Sequence, residues 1–403
     1  MSILSLQEIT TNELRTYYNK MKHSYTSVFF FFASITLLLV LYPNHTLLPY
    51  HSDNISCTEK TGEDSSSVSS DGPIIVYENG SIINYSILPD NTTFKISKKA
   101  IRKTDTLNCY IDETKQSFSF QLKDSIRIEK DVYDLPGRMF IISDIEGNFK
   151  GFADIMKAAG VISDNFEWTF GNGHIVLVGD FFDRWINVTE CLWLIYKLED
   201  EALRTGGKVH LILGNHEMMN LKEKYKYVRN KYKVNAEALK LEYKKWYAPD
   251  TELGRWLRSK NGIEKIGDYL FLHGGISKDF PKDKYTLTEI NDNIRAGIDK
   301  DFKEGEASKD IFIGNNSPLW YRGIVDTAES QEDLEQTLKS FNAKIMILGH
   351  TIVDEIKYLY NKKVIAIDLE HQINTANGNM YALWYENGDF YVIDNKGTKL
   401  NLK

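Results

Sequence analysis

Asp144, Glu146, Asp180, Asn215, His273 and His350 each stand at or just past the end of a short apolar run. The runs are 139–143 before Asp144-Ile145-Glu146-Gly147-Asn148, 174–178 before Gly179-Asp180-Phe181-Phe182-Asp183-Arg184, and 209–213 before Gly214-Asn215-His216-Glu217. Two more, 269–272 and 344–348, lead into His273-Gly274-Gly275 and Gly349-His350-Thr351. Runs of this length bounded by glycine read as buried strands. In open α/β sheets, ligands collect beyond the carboxyl ends of such strands. One strand ending in Asp or His says little; five in succession mark a site.

The residue types suit two metal ions about 3.5–4 Å apart, a pair that clamps a phosphoryl group, activates water and stabilises the leaving oxygen. Asp180 is the natural bridge between them. Asp144 and Glu146, two apart at a strand end, can turn toward the first ion. Asn215, His273 and His350 complete the second. This mixture of oxygen and nitrogen donors fits Mn, Fe or Zn better than a thiolate-seeking metal. His216, paired with Asp183, is placed to protonate a leaving group. Arg184 and Arg322 carry planar forks matching phosphate oxygens, and Asn215 and His216 border the same phosphate.

Taken in order, these motifs resemble the calcineurin-like metallophosphoesterases, most closely the phosphoprotein-phosphatase branch and the bacterial Shewanella-like phosphatases within it. The resemblance covers about 138–367, and its most specific part is Gly179-Asp180-x-x-Asp183-Arg184 followed by Gly214-Asn215-His216-Glu217. It implies an α/β fold, a β-sandwich flanked by helices, and a dinuclear metal centre. It also implies phosphomonoester hydrolysis by metal-activated hydroxide without a covalent intermediate.

One position departs from the family pattern, which has Asp-x-His where this chain has Asp144-Ile145-Glu146. Glutamate keeps an oxygen donor but adds charge and a longer arm, favouring a harder ion (Mn, Mg or Fe) over Zn. Asp368 and His371 follow a further apolar run, 364–367. A compensating role for them is one reading; a loop ion pair and a solvated histidine is the simpler one.

Elements upstream must deliver and brace this site. The 403-residue chain has a net charge of −7 with scattered Lys and Arg, which argues against a nucleic-acid partner. Segment 24–44 has no charged residue and approaches the ~20 residues that span a bilayer. Arg15, Lys20 and Lys22 precede it, so the cationic tail 1–23 should stay in the cytoplasm and the catalytic part outside. The expectation is a single-pass anchor, then a flexible Ser/Asp/Glu linker (45–72), a small β-rich module (73–135) and the catalytic domain (136–403). Asn79-Gly80 between alternating apolar residues is a strong hairpin signal, and the module is expected to brace the fold. Segment 218–263, rich in Tyr, Trp and Lys, is expected to be a mostly helical cap whose Leu253-Gly254-Arg255-Trp256-Leu257-Arg258 stretch lines a cleft or forms ion pairs. Cys191 reads as a buried apolar residue; Cys57 and Cys109 are open to pairing if exported.

The functional expectation is a membrane-anchored, metal-dependent phosphomonoesterase, with Mn foremost among its ions and a phosphoprotein or small phosphomonoester as substrate. Two alternatives stand beside it. One is a nucleotide or dinucleoside polyphosphate hydrolase, signalled by a basic side pocket. The other is a pseudoenzyme that binds phosphorylated ligands, motivated by Glu146 alone.

Overall fold

Two six-stranded sheets dominate the computed structural model, which describes residues 67–402. The expected anchor, most of the linker and Cys57 lie outside those residues. Among the described residues, no helix is long and apolar enough to cross a membrane.

In the first sheet, Arg138–Ile142, His174–Val178 and Lys208–Ile212 run parallel, in that spatial order. Beyond Arg138–Ile142 the sheet continues antiparallel through Tyr381–Glu386, Asp389–Asp394 and Lys399–Asn401. In the second, Tyr269–Leu272, Ile345–Leu348 and Val364–Ala366 run parallel. Its edges are Lys357–Leu359 on one side and Ile263–Ile266 with Val132–Tyr133 on the other. All six parallel strands therefore deliver their next residues to one rim. That rim is where the candidate ligands lie.

The parallel strands are largely apolar because both faces are covered. Met139, Ile141, Val176 and Val178 point between the sheets, where they meet Phe271, Ile347 and Ile365. Their neighbours Phe140, Ile142, Ile175 and Leu177 point outward into the larger core under the helices, as the two-residue period of a strand requires. Helix Phe149–Ala158 starts directly after the first motif, capped by Asn148, whose side chain accepts from the Gly151 amide. Helix Val188–Arg204 packs across the outer face with Trp193 and Cys191 fully buried.

The upstream module is a three-stranded meander, Asp71–Glu78, Ser81–Asp90 and Thr93–Ile101, with a hairpin of Leu107–Ile111 and Gln116–Phe120. Asn79 (φ 47°) and Gly80 (φ 78°) form its two-residue turn with both φ positive, the geometry that matches strand twist. The module is tied to the catalytic fold by Trp193 Nε1 donating to the Pro73 carbonyl at 2.7 Å and Tyr77 donating to Glu252 at 2.5 Å. Cys109 is buried, its thiol 3.5 Å from the Gly72 carbonyl.

The expected cap contains only short helices, Asn215–Leu221, Asn230–Leu239 and Glu252–Leu257, joined by loops. Its aromatic residues nonetheless form a core, with Tyr232, Tyr243, Trp246 and Tyr247 buried against one another. Arg255 lies over the Tyr77 ring, and Arg258 pairs with Asp299 at 2.9 Å. Both arginines therefore serve packing and ion pairing.

Candidate active site

Six non-glycine residues at the common rim have left-handed backbones: Asp144 (φ 54°), Glu146 (49°), Asp180 (58°), Asp183 (72°), Arg184 (56°) and His350 (66°). That conformation costs roughly 1–2 kcal/mol per residue, and such strain collects where function needs an over-determined geometry. Two glycines allow the loops to close. A Cβ on Gly349 would lie 2.5 Å from Asp144 Oδ2, and one on Gly214 would overlap the Asp180 carboxylate.

Asp180 sits at the centre. Its Oδ1 accepts from the His216 amide at 2.9 Å, and its Oδ2 lies 3.0 Å from His273 Nε2 and 3.8 Å from His216 Nε2. Burial alone would raise its pKa, but His273 and His216 outweigh that and hold it below the carboxylate range. His273 Nδ1 lies 2.8 Å from the Val178 carbonyl, and a carbonyl only accepts, so Nδ1 carries the proton. Nε2 then faces Asp180 and the Asn215 side-chain oxygen, 2.9 Å away. Three acceptors converge there. Either a second proton on His273, whose pKa Asp180 and Asp144 lift to about 10 against burial, or a cation must separate them. His350 is fixed in the same way, Nε2 donating to the Trp320 carbonyl at 2.9 Å, which leaves Nδ1 as its open donor atom. Such anchoring of the far ring nitrogen is characteristic of metal-ligating histidines.

Among the described residues, two groups have ligand atoms within 4.8 Å of one another: Asp180 with His273 and His350, and Glu146 with Asp180 and His216. Asp180 belongs to both. Buried carboxylates with so few compensating charges fit a divalent cation. Asp144 stands beside them, accepting from the His350 amide at 3.1 Å, and burial raises it to about 6. Glu146 is raised to about 8 by burial, against the pull of Arg184. Its Oε1 pairs with Arg184 Nε at 2.8 Å, and its Oε2 accepts from Gln372 at 3.3 Å.

His216 Nδ1 lies 2.6 Å from Asp183 Oδ2, and Asn220 donates to the other Asp183 oxygen at 3.0 Å. Burial disfavours the His216 cation, yet Asp180 and Asp183 outweigh it and lift the ring to about 9. The exposed Arg322 donates to the His350 carbonyl, which places it at the rim of the site.

Sequence reasoning left several residues without a role. Glu217 accepts from the amides of Asp180, Phe181 and Gly214 at 2.9, 2.7 and 2.7 Å, locking two motifs together. Its place in Gly214-Asn215-His216-Glu217 was the available signal. Asp368 and His371 correct the simpler reading given above. Both are buried, 4% and 2% exposed, because the strand Val364–Ala366 carries them to the same rim. Asp368 has its pKa driven up by burial and by Asp144 and Glu146.

A family model described as calcineurin-like phosphoesterase matches residues 137–354, more than half of the chain. The chain belongs to the calcineurin-like phosphoesterases. Shewanella-like protein phosphatase 2 of Arabidopsis thaliana is 29% identical over 61% of this chain and 74% of its own length. Shewanella-like protein phosphatase 1 of Plasmodium berghei is 27% identical over 60% and 67%. The crystal structure of the cold-active protein-tyrosine phosphatase of a psychrophilic Shewanella superposes with a TM-score of 0.74 at 32% identity, covering 83% of this chain and all of that one. This phosphoesterase is a metal-dependent phosphatase of the Shewanella-like branch.

Proposed function

We propose that this phosphatase hydrolyses phosphomonoesters of the phosphoprotein kind at a dinuclear centre, with Mn the preferred ion. The first ion would be held by Asp144, Glu146 and Asp180, and the second by Asp180, Asn215, His273 and His350. The single observation that carries this reading is that Asp180 belongs to both candidate ligand groups. Two divalent ions held there would supply Lewis acidity and a water of lowered pKa.

The chain's own residues do the rest. Arg184 and Arg322 offer forks for phosphoryl oxygens, joined by the Asn215 amide and the His216 ring. Asp183 fixes His216 by its Nδ1, which turns Nε2 toward the ligand cluster with a proton to donate to the leaving oxygen.

A cleft of about 200 Å³ lined by Lys123, Lys208 and Lys260 bears on the nucleotide alternative. It lies by the amino end of Lys208–Ile212, away from the ligand rim, and its lysines are paired with Asp200, Glu129 and Glu199. That cleft therefore does not support the nucleotide alternative. The solved Shewanella relative is named a protein-tyrosine phosphatase, so phosphotyrosine peptides join phosphoserine and phosphothreonine peptides as substrates to compare.

The test is metal analysis of the purified protein coupled to hydrolysis of an aryl phosphate. Two ions per chain and metal-dependent turnover support the proposal; tight phosphate binding with no turnover would establish the pseudoenzyme instead. We also propose the 24–44 segment as an anchor with the catalytic domain outside the cytoplasm. A reporter fused after Lys60 that works only in the cytoplasm would overturn that topology.

A further inference from the structure

Tyr227 lies in the loop between Asn215–Leu221 and Asn230–Leu239, outside every motif described above. Three groups that carry or can carry positive charge gather on its half-buried ring. The Arg184 guanidinium carbon is 5.0 Å from the ring centroid, Lys226 Nζ is 4.7 Å away, and the His216 ring is centred 5.2 Å away at a 41° tilt. The backbone ties the same pieces together, since the Arg184 amide donates to the Tyr227 carbonyl at 3.1 Å. One aromatic ring thus neighbours both the proposed phosphate fork and the proposed proton donor.

We propose that Tyr227 is a positioning residue that uses its ring, not its hydroxyl, to hold the Arg184 guanidinium toward the phosphoryl group. This rests on the phosphatase reading above. Arg184 needs such a holder. Its side chain is 44% exposed, the residue has a left-handed backbone, and among the described residues it forms an ion pair with Glu146 alone. A phosphate dianion must compete with Glu146 for the guanidinium. A ring beneath the fork keeps the planar group in place while its in-plane N–H groups change partners, because the attraction of a cation to a π face does not consume hydrogen-bond donors. Lysine at position 184 would lack this planar fit. The Tyr227 ring also neighbours the His216 ring, so both groups share one support.

The test compares Y227F and Y227L with the natural protein by calorimetric titration with inorganic phosphate and by steady-state hydrolysis of an aryl phosphate, with divalent metal added. Y227L should weaken phosphate binding and raise KM by about 3- to 30-fold, the range for losing one such contact. Y227F, which keeps the ring, should recover most of that loss. In an R184A background, Y227L should change phosphate affinity by less than about twofold, since Tyr227 acts through Arg184. Metal content should be the same in all variants. If Y227L loses its cooperative melt, Y227M replaces it, keeping bulk without a π face. Unchanged phosphate affinity in Y227L or Y227M, an equal loss in Y227F, or full additivity with R184A would each overturn the proposal. Failure of the natural protein to bind phosphate or turn over substrate would instead refute the phosphatase reading on which it rests.

Discussion

Replacing Glu217 with Gln alters one atom of a side chain that serves three backbone amides. Oε2 accepts from Asp180 and Gly214, and Oε1 from Phe181. Glutamine keeps one carbonyl oxygen, enough for the pair on Oε2, but turns an NH2 group toward the Phe181 N–H. That buried amide is then unsatisfied, and a hydrogen bond to a charged acceptor is gone, each worth about 1–3 kcal/mol. Burial already disfavours the Glu217 carboxylate, whose pKa is raised, so removing the charge returns part of the loss. The expected net cost of E217Q is about 1–3 kcal/mol. E217A strands all three amides and should cost upwards of about 4 kcal/mol, a large share of the ~5–15 kcal/mol that holds a folded domain. The same amides set the backbone of Asp180 and Gly214, so metal affinity should fall as well, by about 10-fold or more in E217Q. Chemical denaturation measures the first effect, and metal titration followed by elemental analysis the second. An E217Q protein matching the natural one in both midpoint and metal affinity would refute the assignment of Glu217 as the lock between motifs.

Asp180→Asn should abolish activity and most metal binding, because Asp180 is the carboxylate shared by both ligand groups; two tightly held ions per chain in that variant would disprove bridging. His216→Ala should retain metal and lose about 10²–10⁴-fold in rate on substrates with poor leaving groups, with a smaller loss on aryl phosphates, whereas an equal loss on both would assign His216 to phosphate positioning. Glu146→His should keep activity and shift metal preference from Mn toward Zn, and Glu146→Ala should lose the first ion; full activity with two ions in the alanine variant would make Glu146 a bystander. Glu129 provides a pH test away from the metals. Burial would raise its pKa, but Lys260 and Lys208 outweigh that and hold it at about 2, below the ordinary 4.5. Its contribution is therefore complete above pH 4.5 and fades as pH falls toward 2, so E129Q should cost about 3 kcal/mol at neutral pH. That gap from the natural protein should close across the window in denaturation experiments, and a pH-independent gap would refute the charge assignment.

The strands around the site are legible in the sequence because burial on both faces demands continuous apolar runs, and because glycine marks where each run turns. The runs at 174–178 and 269–272 coincide with the strands His174–Val178 and Tyr269–Leu272. The others differ from their strands by one residue at one or both ends. The edge strands Val132–Tyr133 and Lys357–Leu359 carry no such signal. Each is two or three residues long and partly exposed, so pairing with a neighbour, not burial, defines it. The helical expectation for 218–263 is met only in pieces, since there the aromatic residues pack as a cluster and the backbone follows them.

Candidate ligands are recognised by residue type, so Asp144, Glu146, Asp180, Asn215, His273 and His350 could be proposed from the sequence alone. Their arrangement could not. Left-handed φ at Asp180, Asp183 and Arg184 opposes local preference and exists only because crossing elements over-determine it. Glu146 meets Gln372 across 226 positions, and Asp368 and His371 are buried by a strand that the chain lays down last among the six parallel ones. Tyr227 gathers Arg184 from another loop and His216 from the helix Asn215–Leu221. Sequence by itself determined which chemistry the chain carries, because donor atoms and strand ends are local properties. Tertiary structure decided which charges face one another, because that depends on contacts between segments with no sequence proximity.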